Sequence, residues 1–233
     1  MARFNNDARP RLTRDLVVAA AVSYIDQHGA QGLTMRRLGS EIGVEAMSLY
    51  RHVEGREDLL EGVVQTVASG LTEHMDSSLG ASWQGYLQDL AHRCRGMALE
   101  HPNVFPLVAT RHPAAPWLRP PLRDLALVEH LLSTLAHFGF TPSQAVAAYQ
   151  SFSSFLLGHL LLEVVQLGAE ASPVEVPLDE GEAQLPSQDA SLDLADFPTI
   201  MAARQELSRD TSQEQFEISL ETLLDRLEFA LKQ

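Results

Sequence analysis

The sequence has almost no cysteine. Cys94 is the only one in 233 residues, so no internal disulfide can form, and that count suits a reducing compartment. A chain of this length can bury a core without bridges or metals, and its length suggests one or two domains. Long apolar runs are also missing. The longest, Phe155 to Leu162, is broken by Gly158 and His159, well short of the roughly 20 residues that cross a bilayer. The opening MARFNNDARPRLTRD carries charges and no apolar stretch, unlike a secretory leader. No membrane partner and a cytoplasmic location are therefore expected. Period-two alternation is absent, which speaks against sheets. There is no Gly-rich phosphate loop, no His-Glu-x-x-His and no nucleophile elbow, and the histidines stand singly. No enzyme, metal site or cofactor is expected.

Positive charge is scarce as well. The net charge is −14, which alone would argue against nucleic acid. The distribution says otherwise. Residues 1–53 hold seven arginines and five acids, a net of +2, which leaves −16 for the remainder. A mildly basic head on an acidic body fits a small module that faces a polyanion while the body stays clear of it. The acidic body can equally be a device for solubility.

What is present is helical periodicity along most of the chain. Helices are predicted from Thr13 to Gln27, Thr34 to Ile42, Glu45 to Arg51, Arg56 to about Ser77, Ser82 to Glu100, after Pro120-Pro121 to His137, from Thr141 to about Leu167, from about Phe197 to Leu207, and from Thr211 to Leu231. Thr13 and Ser82 can cap their helices, and Gly29 can take a left-handed residue after the first. Thr141-Pro142-Ser143-Gln144 combines a capping threonine, a proline at the first helical position and a glutamine at the third. Residues 168–195 are acidic, carry prolines and read as a mobile loop. The fold class is all-α. A DNA-binding domain at 1–60, with the start of a connecting helix, would precede an effector-binding and dimerisation domain at 61–233.

The informative stretch is Thr34 to His52. Leu38, Ile42, Val44 and Leu49 are spaced to pack between two short helices, and Gly43 permits the sharp turn. The second helix then exposes Glu45, Ala46, Met47, Ser48 and Arg51, and small residues at its start let its backbone approach base edges. Arg36 and Arg37 can reach phosphate or a guanine edge. Tyr50, His52 and Arg56 can donate to phosphates. Each feature alone has a plainer reading, since two short helices around a glycine are common, a lone tyrosine is often packing, and a lone histidine is often surface.

The order of these pieces is more specific. Leu33-Thr34-Met35-Arg36-Arg37-Leu38, then Gly43-Val44, then Leu49-Tyr50-Arg51-His52-Val53, then Arg56-Glu57-Asp58-Leu59-Leu60 resembles the N-terminal signature of the TetR family of bacterial regulators. The resemblance implies an all-helical dimer whose C-terminal domain binds a small molecule that lowers DNA affinity. It implies that Thr34 and Arg36 contact DNA from the first helix of the pair and that Ala46, Met47 and Ser48 face bases. Tyr50 and His52 match the family's phosphate-binding Tyr-x-His, and Arg56 its basic residue at the next helix start. Double-stranded operator DNA is the expected partner.

Beyond residue 75, Ser82-Trp83-Gln84, Thr110-Arg111, Gly139-Phe140 and the capped helix after Thr141 resemble the tetracycline-repressor branch, as does the long loop before the last helices. That likeness implies a homodimer built on helices near 142–167 and 213–232. The residues agree. Phe216, Leu220, Leu223, Leu224, Leu227 and Leu231 form one stripe, while Tyr149, Phe152, Leu156, Leu160 and Val164 share one side of their helix, with Phe155 and Leu162 on another. A helix apolar on two sides needs two neighbours, one of which can be a twin subunit, although monomer core is the alternative.

A largely apolar effector would sit among the central helices, with Leu90, Cys94, Met97, Phe105, Val108, Trp117, Phe138, Phe155 and His159 as candidate lining. Any one of them could simply be core, and His159 reads better as a satisfied core histidine. The branch's magnesium-chelated drug is held by histidine and asparagine, and the matching positions here, Thr72 and Leu90, supply neither. Two other functions remain open at this point: a DNA-binding activator or architectural protein without effector and, more distantly, a helical enzyme.

Overall fold

The computed structural model describes residues 12–71, 82–169 and 196–231, and these contain helices and turns without a strand. α1 (Arg14–His28) starts where the Thr13 side chain accepts the Leu16 amide, 3.3 Å away. It closes at Gly29, whose φ is positive at 73° but whose ψ of 159° is extended, so the expected left-handed helical cap is met in φ only. α2 (Met35–Ile42) is capped by Thr34, and Gly43 adopts the left-handed conformation (φ 72°, ψ 34°) that turns the chain into α3 (Ala46–Leu49). α3 is shorter than the predicted 45–51. Glu45 is extended and provides no side-chain cap, and after Leu49 the chain continues as a turn in which His52 and Val53 both donate to the Leu49 carbonyl.

α4 (Arg56–Ala68) passes into a 3₁₀ turn at Ser69–Leu71 instead of running unbroken toward Ser77. Ser69 and Gly70 are poor helix residues at that point, glycine by about 1 kcal/mol against alanine. The end of that expected helix falls outside the described residues. α5 (Trp83–Glu100) begins at the predicted Ser82 cap, whose hydroxyl accepts the Gly85 amide at 3.1 Å. α6 (Phe105–Val108) is a single turn. α7 (Leu125–His137) starts only after Asp124, whose carboxylate accepts the Ala126 and Leu127 amides, at 2.9 and 3.2 Å. α8 (Pro142–Gln166) opens with the full capping box at Thr141 and Gln144. The predicted piece at 197–207 is two turns of helix, α9 (Pro198–Ala202) and α10 (Arg204–Leu207), parted at Ala203. α11 (Ser212–Leu231) ends the described chain. The loop expected at 168–195 lies almost wholly outside the described residues.

The buried side chains form one continuous cluster from Val17 on α1 to Leu227 on α11. α1 crosses α4 closely at Gly62, where a Cβ would fall 2.8 Å from a Val18 methyl. α8 is the central helix, packed against α5, α6, α7 and α11. Its 25 residues, about 37 Å long at 1.5 Å per residue, are long and apolar enough to span a bilayer by length and composition. Counting only the uninterrupted apolar run missed this, because mean hydropathy tolerates Gly158 and His159. The buried Ser153 and Glu163 and the helices packed around it mark α8 as a core helix.

Polar links tie the N-terminal helices to the body. His101 Nδ1 lies 2.8 Å from an Asp26 carboxylate oxygen, and the Asn103 amide donates to the Asp26 carbonyl at 2.9 Å. Arg123, 5% exposed, reaches Glu57 at 3.0 Å and Glu61 at 3.3 Å, both on α4. His112 stands 3.4 Å from the other Glu61 oxygen.

Candidate functional site

α2 and α3 meet at backbone distance. A Cβ on Gly39 would lie 2.8 Å from the Val44 carbonyl oxygen and 3.2 Å from the Ala46 nitrogen. The Val44 amide donates to the Gly39 carbonyl at 2.8 Å, closing the turn. Leu38 and Leu49 are fully buried beneath it, and Ile42, Val44 and Ala46 pack against the same core. The pair is thus fixed as a unit, and its outer side is free to meet a ligand.

On that side the candidate residues divide by what already holds them. The Arg36 guanidinium is exposed and has no partner among the described residues. Met47 is 71% exposed and Tyr50 48%, while Ala46, Ser48 and His52 are half-buried around them. Thr34 is exposed, but its hydroxyl oxygen accepts the Arg37 amide at 3.2 Å, which leaves its proton to donate. Arg37 gives one guanidinium nitrogen to the Gly32 carbonyl at 3.0 Å. Arg56 is more committed: it donates to the Leu33 carbonyl at 3.2 Å and the Ala30 carbonyl at 3.1 Å. It therefore braces the loop before α2 against α4, and only the part of its guanidinium left over can face a phosphate. Arg14 is similarly engaged, chelating Asp58 at 2.6 and 2.8 Å and reaching the His52 carbonyl at 3.3 Å. Sequence spacing missed Gly39, whose role is a close backbone approach to Val44 and Ala46, and Arg14, whose partner is 44 residues away.

The second feature is a narrow, partly enclosed cavity of about 30 Å³ between α5, α7 and α8. Leu90, Cys94, Met97, Phe105 and Val108 line it as expected. Four candidates do not. Trp117 is 74% exposed, in a proline-bearing loop that borders an outer groove. Phe138 packs at the end of α7 beside His137. Phe155 and His159 stack on Phe216 of α11, their ring centroids 5.8 and 5.3 Å from it. The reason is angular: one residue along a helix is 100° of rotation. Tyr149, Phe152, Ser153 and Leu156 therefore face the cavity, while Phe155 and His159 face α11. Leu122, Leu127 and Leu131 were missed, although the 3.6-residue rhythm of α7 marks the last two as inward.

The polar groups at the cavity are few and neutral. Burial pushes the Cys94 thiol up to about 12 and the Tyr149 phenol, also burial-driven, up to about 12. The phenol donates to the Pro120 carbonyl at 2.8 Å. Leu90, at the position where the tetracycline branch was expected to use asparagine, is a buried wall residue, and Thr72 lies outside the described residues. Among the described residues no three histidine, cysteine, aspartate or glutamate side chains are grouped to hold a metal.

A helix pair with a free, cation-bearing outer side, carried on a helical body around an apolar cavity, defines a helix-turn-helix regulator. A family model described as bacterial regulatory proteins, tetR family, matches residues 17–63, and one described as tetracyclin repressor-like, C-terminal domain, matches residues 77–231. The chain belongs to the TetR family of bacterial regulatory proteins, with a helix-turn-helix DNA-binding region followed by a tetracyclin repressor-like C-terminal domain. It is 29% identical over 225 residues to the HTH-type transcriptional repressor DrrR1 of Streptomyces coeruleorubidus, covering 97% of this chain and 80% of that one. It is 28% identical over 224 residues to the class D tetracycline repressor protein of Escherichia coli, covering 95% and 91%. Among solved structures, a possible TetR family regulator from Streptomyces coelicolor A3(2) superposes with a TM-score of 0.68 at 25% identity, covering 93% of this chain and 99% of that one. The ActR protein of Streptomyces coelicolor in complex with actinorhodin gives 0.64 at 25%, covering 94% and 96%.

Proposed function

We propose that the chain acts as a homodimeric repressor that reads a near-palindromic operator through α3 and is released when a small molecule enters the α5–α7–α8 cavity. The observation that carries the DNA half is the outer side of α2–α3, where Arg36, Met47 and Tyr50 stand exposed above a buried Leu38–Leu49 seam. Thr34, Arg36 and Arg37 approach from α2, and Ala46, Met47 and Ser48 face the bases. Tyr50 and His52 hold phosphate, with Arg56 in a bracing role. Two such units about 34–36 Å apart suit successive major grooves.

The dimer reading rests on what α8 and α11 leave uncovered. Leu162 (69% exposed), Val165 and Leu167 at the end of α8, with Ile218 and Phe229 on α11, are apolar side chains without cover in the single chain. A two-fold contact of α8 and α11 with their copies would bury them. The coupling reading rests on Arg123. Its neighbour Leu122 lines the cavity, and its own amide donates to the carbonyl of Val108, another lining residue. Its guanidinium grips Glu57 and Glu61 on α4, the helix that follows the reading head. A molecule that pushes Leu122 and Val108 outward would move α4, and with it the separation of the two reading heads. It then shifts the population away from the DNA-competent form.

The test is selection of bound duplexes from a random DNA pool, followed by gel-shift titration of the selected site with wild type, Tyr50→Ala and His52→Ala. Both variants are expected to bind at least tenfold more weakly while melting as wild type does. Unchanged affinity in both would overturn the assignment of α3 and its flank.

A further inference from the structure

We infer that the cavity between α5, α7 and α8 receives an uncharged, mainly apolar small molecule with no more than one or two hydrogen-bonding groups, and that it excludes carboxylates, sulfonates, amines and metal chelates. The inference rests on reading this cavity as the effector site and adds to it the chemistry of the ligand.

The lining contains no aspartate, glutamate, lysine, arginine or histidine. Its hydrogen-bonding groups are Tyr149, Ser153 and the Cys94 thiol, and burial keeps the phenol and the thiol protonated at any physiological pH. The phenol proton is already given to the Pro120 carbonyl, and the phenol also interacts with Ser153. The nearby cation offers no help, because Arg123 is held by Glu57 and Glu61. A charged ligand would lose its hydration and find no counter-charge, a penalty that costs far more than tenfold in affinity.

The space decides how such a molecule enters. About 30 Å³ holds a water or two, whereas pockets for drug-sized ligands run to about 300 Å³ or more. Outside lies a groove of about 530 Å³ between the loop at 115–119, α7 and α8. Cavity and groove share Val128 and Tyr149 as walls. Tyr149 swinging off the Pro120 carbonyl would join the two, so the ligand cannot be accommodated without the wall moving. Binding and conformational change are then one event.

The experiment uses two probes with the same ring skeleton. N-phenyl-1-naphthylamine is neutral, and 8-anilino-1-naphthalenesulfonate adds a sulfonate. Each is titrated by fluorescence into the full chain at pH 7, and into Ser153→Leu, which fills the cavity. The neutral probe is expected to saturate at one per chain with at least tenfold higher affinity than the sulfonate, and to weaken at least tenfold in Ser153→Leu. Should Ser153→Leu fail to fold by circular dichroism, Val128→Phe at the shared wall supplies the same test. Equal affinity for the sulfonate with mutual displacement would overturn the inference. So would the absence of saturable neutral binding, or neutral binding insensitive to the filling variant. Gel shifts on the selected operator, run without probe, test the repressor reading separately. Neutral-probe selectivity without operator release would leave the ligand class standing and remove the effector role.

Discussion

Arg123→Met offers the sharpest test of how the body controls the reading head. Methionine keeps much of the buried stem of Arg123 and removes the charge. Two ion pairs are lost, and their exposure decides what each was contributing. Glu57 is 65% exposed, so it regains water and the loss there is about 0–1 kcal/mol. Glu61 is 22% exposed, keeps His112 at 3.4 Å and meets the Arg123 Nε as an ion pair without a hydrogen bond, so its loss lies between the exposed-pair and buried-pair values, about 1–2 kcal/mol. The destabilisation is therefore about 1–3 kcal/mol, at or below the roughly 3–5 kcal/mol of a fully stranded buried charge. For a chain of this length that is a fall in Tm of about 2–12 °C. Thermal unfolding of Arg123→Met, Glu61→Gln and the double variant closes a cycle. The coupling energy between the two positions should exceed about 1 kcal/mol. In parallel, Arg123→Met should still bind the neutral naphthylamine, yet release operator far less in response to it. Additive single variants, within about 0.3 kcal/mol, would refute the ion-pair reasoning. Undiminished release would refute the coupling role.

Three further outcomes are expected. Gly39→Val places a side chain 2.8 Å from the Val44 carbonyl oxygen, a backbone atom that cannot step aside. It should abolish the gel shift and lower stability by about 1–3 kcal/mol in urea, and wild-type binding would show that the α2–α3 approach is looser than described. Leu162→Arg charges the most exposed apolar residue of α8. Light scattering at micromolar concentration should then give a monomer mass where wild type gives a dimer, and a dimeric variant would move the interface elsewhere. The Arg14 guanidinium holds the Asp58 carboxyl below its ordinary value of 3.8. Its stabilisation is therefore present above about pH 4 and lost as pH falls through the lowered value. With both groups partly solvated it is worth under about 1 kcal/mol. Urea midpoints from pH 5 to pH 3 should fall less steeply in Asp58→Asn than in wild type, and parallel slopes would remove the clamp.

Four helix starts were legible because capping is local. Thr13, Thr34, Ser82 and Thr141 each act on an amide three residues ahead, so type and spacing suffice. The reading head was legible for a similar reason, its exposed residues lying within one short stretch. What escaped was set by packing between distant segments. The basic residue at the start of α4 was visible as Arg56, but its carbonyl partners, 23 and 26 residues back, were not. Arg123 looked unremarkable because Glu57 is 66 residues away and the chain returns to it only through the fold. The cavity was half-found because an apolar helix does not announce which neighbour takes which side. Phe155 and Phe152 are equivalent in composition and about 60° apart around α8, and that rotation alone sends one to α11 and the other to the cavity.

The same rotation explains why α8 is the element on which the two proposed activities converge. One face, through Tyr149, Phe152, Ser153 and Leu156, closes the cavity. A second, through Phe155 and His159, is locked to Phe216 of α11. The tail of the helix leaves Leu162 and Val165 exposed, where the proposed dimer would cover them. Between these, Glu163 is buried and bound to Arg95 of α5 at 2.6 and 3.1 Å, with the Arg95 guanidinium also 5.5 Å from the centre of the Phe216 ring. The C-terminal half of α8 is thus fixed to α5 and α11 by an ion pair whose breaking would strand a buried charge. Its N-terminal half meets the cavity and groove at Tyr149, where one hydrogen bond to a loop carbonyl is the restraint. A ligand that forces its way between α5, α7 and α8 therefore meets least resistance at the Tyr149 end and at the loop carrying Leu122 and Arg123. In the proposed dimer, the rigid half would keep the contact in place while the yielding half moves α4.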